Sequence, residues 1–180
     1  ASGTLDGIEI SDAAQLIGGG VTGRHGTWAD LGAGSGTFTR ALARLLGAGG
    51  VVFAVDRVAA ELPAAVGASP AAGARIVPIV ADFTRPQPFS DLDGVIMANS
   101  LHFVDSGDQE RVVGQVPGGS FLLVEYDETK GTPWVPFPVP PGRFSQIARK
   151  AGLGEPRALG RRPSRYGRKD IYAAVALKGE

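Results

Sequence analysis

Trp28-Ala-Asp-Leu-Gly-Ala-Gly-Ser-Gly-Thr-Phe38 is the stretch on which the reading of this chain turns. An apolar run, Trp28–Leu31, leads straight into Gly32, Gly34 and Gly36. After them Phe38, Ala41, Leu42, Leu45 and Leu46 recur at the spacing of one helical face. Strand, glycine turn and helix in that order form the opening unit of a βαβ fold. Glycines at the turn let the backbone reverse sharply and let a ligand come close to the main chain. The free amides at the start of the helix are donors for a ligand carboxylate.

Outward from this unit, further apolar runs follow at Val51–Val55, Ile76–Val80, Val95–Ala98, Phe121–Val124 and Ile171–Leu177. They are nearly continuous, without strict alternation, as expected for parallel strands buried on both faces. Pro78 removes a ladder donor and assigns the Ile76–Val80 run to a sheet edge. Helical candidates lie between the runs: Val58–Val66, shortened or kinked by Pro63; Gln109–Val116; and Phe144–Ala151, closed by Gly152. The alternation predicts a doubly wound α/β sheet with helices on both faces and ligands bound at the carboxyl edge of the strands. Between Gly131 and Gly142, prolines at 133, 136, 138, 140 and 141 predict irregular, polyproline-like backbone.

Composition bounds what such a fold can do. The chain has 180 residues, 43% hydrophobic and 20% charged, which suits one domain over 1–180 with a full core. Lys+Arg and Asp+Glu number 18 each, so no overall basic field grips nucleic acid. There is no cysteine and there are two histidines, His25 and His102, which excludes disulfides, thiolate chemistry and a histidine-rich metal site. No apolar run approaches the roughly 18 residues of a membrane span, and Ala1–Asp12 lacks the pattern of a signal peptide, so the expected location is the cytoplasm. Charge is uneven: residues 143–169 hold nine basic residues against one acid, Glu155.

Three acids close three successive apolar runs. Asp30 precedes the glycines, where it would repel a pyrophosphate but suit an amino group or a sulfonium. The nicotinamide fingerprint needs a glycine where Thr37 stands, and no P-loop Gly-Lys-Ser/Thr string occurs. Asp56, 24 positions beyond Gly32, ends the second run, where a carboxylate can accept from both hydroxyls of a ribose. Asp82-Phe83 ends the third, offering a polar group and a ring face to an adenine. Each acid alone also suits a helix cap or a turn; three at successive strand ends point to one ligand.

With these residues in place, the chain resembles the class I S-adenosylmethionine-dependent methyltransferases. Asp30-Leu-Gly-Ala-Gly-Ser-Gly36 is similar to the first motif of that family, Val55-Asp56-Arg57 to the ribose-binding acid motif and Ala81-Asp82-Phe83 to the adenine-binding motif. Asp93-Gly-Val-Ile-Met-Ala-Asn99-Ser-Leu-His102 is similar to the fourth motif, and Pro117-Gly-Gly119 to the turn into the fifth strand. The resemblance runs over roughly residues 11–178. It implies a seven-stranded, mostly parallel sheet of order 3-2-1-4-5-7-6 with the last strand antiparallel, Ile171–Leu177 as that strand, and a sixth strand within Leu153–Leu159. By position it implies that Gly32, Ala33 and Gly34 line the methionine part of S-adenosylmethionine and that Asp30 faces its amino end. Asp56 would hold the ribose diol. Arg57 would flank the adenine, Asp82 and Phe83 would bind it, and Asn99 would lie near the methyl donor. S-adenosylhomocysteine would be the product.

An activated sulfonium leaves the protein mainly alignment and desolvation to supply for an in-line displacement. His102, after the fourth strand, is the candidate general base, and a buried strand-capping histidine is the alternative. Glu125 and Tyr126 are further candidates. Trp134 and Phe137 would either cover an apolar substrate or pack back on the domain. The Asn/Asp-Pro-Pro-aromatic string of methyltransferases acting on amino groups of bases or glutamine is absent, since residues 98–103 read Ala-Asn-Ser-Leu-His-Phe. The expectation is a small-molecule acceptor. The basic run Arg161–Lys169 keeps three alternatives open, a solvated loop, an RNA-methyltransferase surface or a contact for a small anionic substrate. A cofactor-binding protein without turnover is a further alternative, and a nicotinamide oxidoreductase ranks last.

Overall fold

The computed structural model describes residues 8–59, 73–164 and 170–179. Seven strands form one sheet: β1 Thr27–Leu31, β2 Val51–Asp56, β3 Arg75–Val80, β4 Gly94–Ala98, β5 Ser120–Tyr126, β6 Arg157–Arg162 and β7 Ile171–Leu177. Their order is β3-β2-β1-β4-β5-β7-β6. The ladders β3-β2-β1-β4-β5 are parallel, and β7 runs antiparallel to both β5 and β6. This is the order implied by the resemblance. Pro78 lies on β3 at the sheet edge, opposite Ala54, so its missing donor costs no interior ladder bond.

Four helices are described: α1 Ile10–Ile17, α2 Thr37–Leu46, α3 Gln109–Gly114 and α4 Pro141–Lys150. The central strands bury both faces. On β4, Val95 and Met97 enter one core with Phe144 and Ile147 of α4 and Val112 of α3. Ile96 enters the other core with Leu42 of α2 and Leu16 of α1. On β5, Phe121 and Leu123 divide from Leu122 and Val124 in the same way. At about 25 cal/mol per Å² of apolar area, two full layers supply the main driving force for the fold.

Three boundaries differ from the sequence expectation. The sixth strand is Arg157–Arg162, later than the Leu153–Leu159 window, because it is an exposed edge strand without an apolar run. Leu153 itself makes an isolated bridge to Lys178. Helix α4 starts at Pro141, three residues before Phe144; Pro140 and Pro141, read as irregular backbone, cap and open it, since proline presets the first helical turn. Helix α1 was not anticipated, although Ala13, Leu16 and Ile17 form its buried face. The Val58–Val66 helix candidate falls mostly outside the described residues, as does the Arg165–Lys169 part of the basic run.

Candidate active site

The carboxyl ends of β1 to β5 open into one cavity of about 780 Å³. Its wall includes all of the residues singled out from sequence for the cofactor: Asp30, Gly32, Ala33, Gly34, Asp56, Arg57, Asp82, Phe83 and Asn99. His102, Tyr126 and Trp134 line it as well. Phe137 is not among the lining residues; its backbone N–H donates to the His102 carbonyl at 3.0 Å.

The glycine turn is held from two sides. The N–H groups of Gly32 and Ala33 both donate to the Val55 carbonyl, at 2.8 and 3.0 Å, and so hook the end of β1 onto β2. Gly32 has φ of 81°, and a Cβ there would lie 2.5 Å from Ser100 Cβ, so glycine is required sterically as well as conformationally. Ser100 in turn donates its hydroxyl to the Leu31 carbonyl at 2.8 Å, which ties β4 to β1. The floor of the cavity is thereby fixed by backbone and small side chains.

Each of the three acids has a structural partner. Asp30 is 1% exposed, and Thr39 of α2 donates to its Oδ2 at 2.6 Å. Asp56 accepts from the Gly34 N–H at 3.0 Å through Oδ2 and from the Val58 N–H at 3.0 Å through Oδ1. Asp82 accepts from both the hydroxyl and the N–H of Thr84, at 2.7 and 2.9 Å. Those two bonds hold its carboxyl below the usual range, and the positive charges of Arg57 and Arg85 act in the same direction. The turn and cap roles weighed for these acids are thus real, and they coexist with a shared crevice.

Asn99 follows β4 with φ of 53°, a left-handed conformation that asparagine tolerates. Its Oδ1 is buried in the cavity wall without a hydrogen-bond partner. An acceptor left in that state is costly unless a ligand donor meets it. Acids at the β1, β2 and β3 ends, a glycine turn and this acceptor together fit a nucleoside that carries an amino acid through a sulfonium, as S-adenosylmethionine does.

His102 is buried and bound to Glu125, which is fully buried. Glu125 Oε2 lies 2.7 Å from His102 Nδ1, and Oε1 accepts the His102 backbone N–H at 3.1 Å. Sequence reading named both residues but not their pairing. The signal was present: they close β4 and β5, which are neighbours.

The basic run has its described arginines engaged within the chain. Arg161 bonds Asp127 at 2.5 Å, while Arg162 bonds Gln15 at 2.6 Å and lies 3.4 Å from Asp12. Among the described residues, no helix is long and apolar enough to cross a membrane.

This sheet order, with the glycine turn after β1, defines a Rossmann-like methyltransferase fold. Residues 29–117, from β1 to the turn before β5, match the family model described as "Methyltransferase domain". Solved structures agree on the fold. A 1,6-didemethyltoxoflavin-N1-methyltransferase from Burkholderia thailandensis, with 1,6-didemethyltoxoflavin and S-adenosylhomocysteine bound, is similar at a TM-score of 0.73 and 17% identity, over 95% of this chain and 78% of that one. Magnesium protoporphyrin IX methyltransferase from Synechocystis, with S-adenosylmethionine bound, is similar at 0.68 and 17%, over 94% and 77%. A SAM-dependent methyltransferase from Aquifex aeolicus is similar at 0.69 and 16%, over 93% and 90%. No curated protein matches the sequence.

Proposed function

We propose that the chain, as one domain over 1–180, transfers a methyl group from S-adenosylmethionine to a small-molecule acceptor. The observation that carries this is the convergence of Asp30, Asp56 and Asp82 with the glycine turn on one cavity. Asp56 would accept from the ribose hydroxyls with the lone pairs left by Gly34 and Val58. Arg57, Asp82 and Phe83 would surround the adenine, and Gly32, Ala33 and Gly34 the methionine part. Asp30 would face the amino group, and the orphaned Asn99 Oδ1 would accept from the ligand close to the methyl donor. The cofactor supplies a methyl group on a positive sulfur. The chain's part is to hold donor and acceptor in line and to exclude water. His102, on the β4 side of the cavity, is the candidate base for an acceptor that must lose a proton. The exposed aromatics Phe103 and Trp134 beside it favour a small organic acceptor, and the pairing of Arg161 and Arg162 with acids of this chain leaves less of the basic run for RNA.

Calorimetry with S-adenosylhomocysteine tests the proposal. Saturable binding is expected, and a folded sample that binds none overturns it. Asp56→Ala is expected to weaken that binding by about 1–3 kcal/mol through lost charged hydrogen bonds; an unchanged affinity contradicts the ribose assignment. Binding without methyl transfer across a broad acceptor panel would point to the cofactor-binding protein without turnover.

A further inference from the structure

The β3 end of the cavity is held in shape from outside the cavity. Asp82 follows β3 and lines the wall together with Phe83 and Thr84. Its Oδ1 takes both Thr84 donors, the hydroxyl at 2.7 Å and the N–H at 2.9 Å. Oδ2 stands outside that clamp, 3.8 Å from Nε of Arg85, whose side chain is 83% exposed. The Thr84 carbonyl is gripped in turn: Arg111 Nη1 donates to it at 3.1 Å and Gln115 Nε2 at 3.0 Å. Gln87 Nε2 tightens the same loop by donating to the Asp82 and Arg85 carbonyls, at 2.8 and 2.7 Å.

The two donors to Thr84 come from one helix. Arg111 lies in α3 and Gln115 caps its C-terminus, so the two stand four positions apart on one helix face. Val112 and Val113 bury that helix in the core, which ties the donors to the sheet as well as to the loop. Arg111 Nη1 also lies 3.5 Å from Gln115 Oε1, which orients the amide with its N–H groups toward Thr84. Neither Arg111 nor Gln115 is among the residues lining the cavity.

We infer that Arg111 and Gln115 are positioning residues for the base of the nucleoside: by fixing Thr84 they lock the Asp82 carboxylate with Oδ2 as the oxygen it can offer, and so make the cavity select a 6-amino over a 6-oxo purine. The inference rests on the methyltransferase reading, which puts the purine at this end. Held ionised by its bonds to Thr84, the carboxylate accepts and does not donate. A 6-amino group brings it an N–H. A 6-oxo group brings a second acceptor instead, and the donor beside it is the N1–H of the ring. To meet that N1–H the carboxylate must turn, which breaks its bonds to Thr84. Selection therefore depends on how stiffly Thr84 is held, and that stiffness comes from α3.

Calorimetry with S-adenosylhomocysteine and with S-inosylhomocysteine, its 6-oxo counterpart, provides the test. The unaltered chain is expected to favour the amino form by roughly tenfold or more, the cost of setting acceptor against acceptor. Arg111→Ala combined with Gln115→Ala should erase most of that preference, because the loosened carboxylate can turn to the N1–H of the 6-oxo base. A merely structural role would weaken both ligands alike and leave their ratio unchanged. Thr84→Val removes the hydroxyl donor at nearly constant shape and should lower the ratio as well, which keeps the test open if the double variant does not fold. The inference is overturned if the unaltered chain binds the two compounds equally, or if a folded variant keeps the ratio. A folded chain that binds neither compound overturns the methyltransferase proposal instead, so the two failures are distinct.

Discussion

Gly32 and Gly34 both hold left-handed backbone, with φ of 81° and 51°, yet they differ in what an added methyl would meet. At Gly34 it would enter open space, whereas at Gly32 it would strike Ser100 and press on Phe83. Gly34→Ala should therefore cost about 1–2 kcal/mol of backbone strain. Gly32→Ala should cost that and roughly 1–3 kcal/mol more from overpacking, with denaturant melts of the two variants as the check. Asp82 provides a second prediction. Its depressed carboxyl contributes stability above the unfolded pKa and loses it as pH falls through the lower folded value. Thr84→Val removes the hydroxyl donor, the largest cause, so the Asp82 titration followed by NMR should move up toward the ordinary range. Residues lining the cavity at the β1, β2 and β3 ends were legible in sequence because each stands at or near the end of an apolar run. The His102–Glu125 contact was not, because the two are 23 positions apart and meet only when β4 pairs with β5.

Elements were legible where burial marks them and were missed where it does not. β2, β4 and β5 read directly as apolar runs. β6 is largely exposed and carries three arginines, so its composition looks like a loop, and only its ladder with β7 makes it a strand. Helix α1 is eight residues long, so its apolar stripe of Ala13, Leu16 and Ile17 is too short to give a clear helical period. The contact between α3 and α4 shows how polar residues position elements too. Arg143 of α4 donates to Gln109 Oε1 at 3.2 Å, Glu110 Oε1 at 2.9 Å and the Ser106 carbonyl at 2.7 Å. These bonds join α4 to α3 and to the loop before it, on the same face of the sheet as Phe144 and Ile147. Arg143→Ala should lower stability by roughly 1.5–3 kcal/mol, measured by thermal unfolding, because partly buried acceptors lose a charged donor.

At the scale of the whole molecule, two cores lie on opposite faces of the sheet, and the cavity lies at the strand ends between them. A ligand held there touches residues following five strands, β1 to β5, and so bears on the fold as a unit. S-adenosylhomocysteine at a hundredfold excess over its Kd should add about 2.7 kcal/mol to the unfolding free energy. A melting temperature that rises with ligand concentration checks this, and a flat response contradicts it. One carboxylate shapes how that ligand arrives. Asp56 already clasps the Gly34 amide across the gap between β1 and β2. The berth proposed for the nucleoside is consequently assembled ahead of its guest, and stopped-flow mixing with S-adenosylhomocysteine should show a single second-order phase whose rate climbs linearly with concentration.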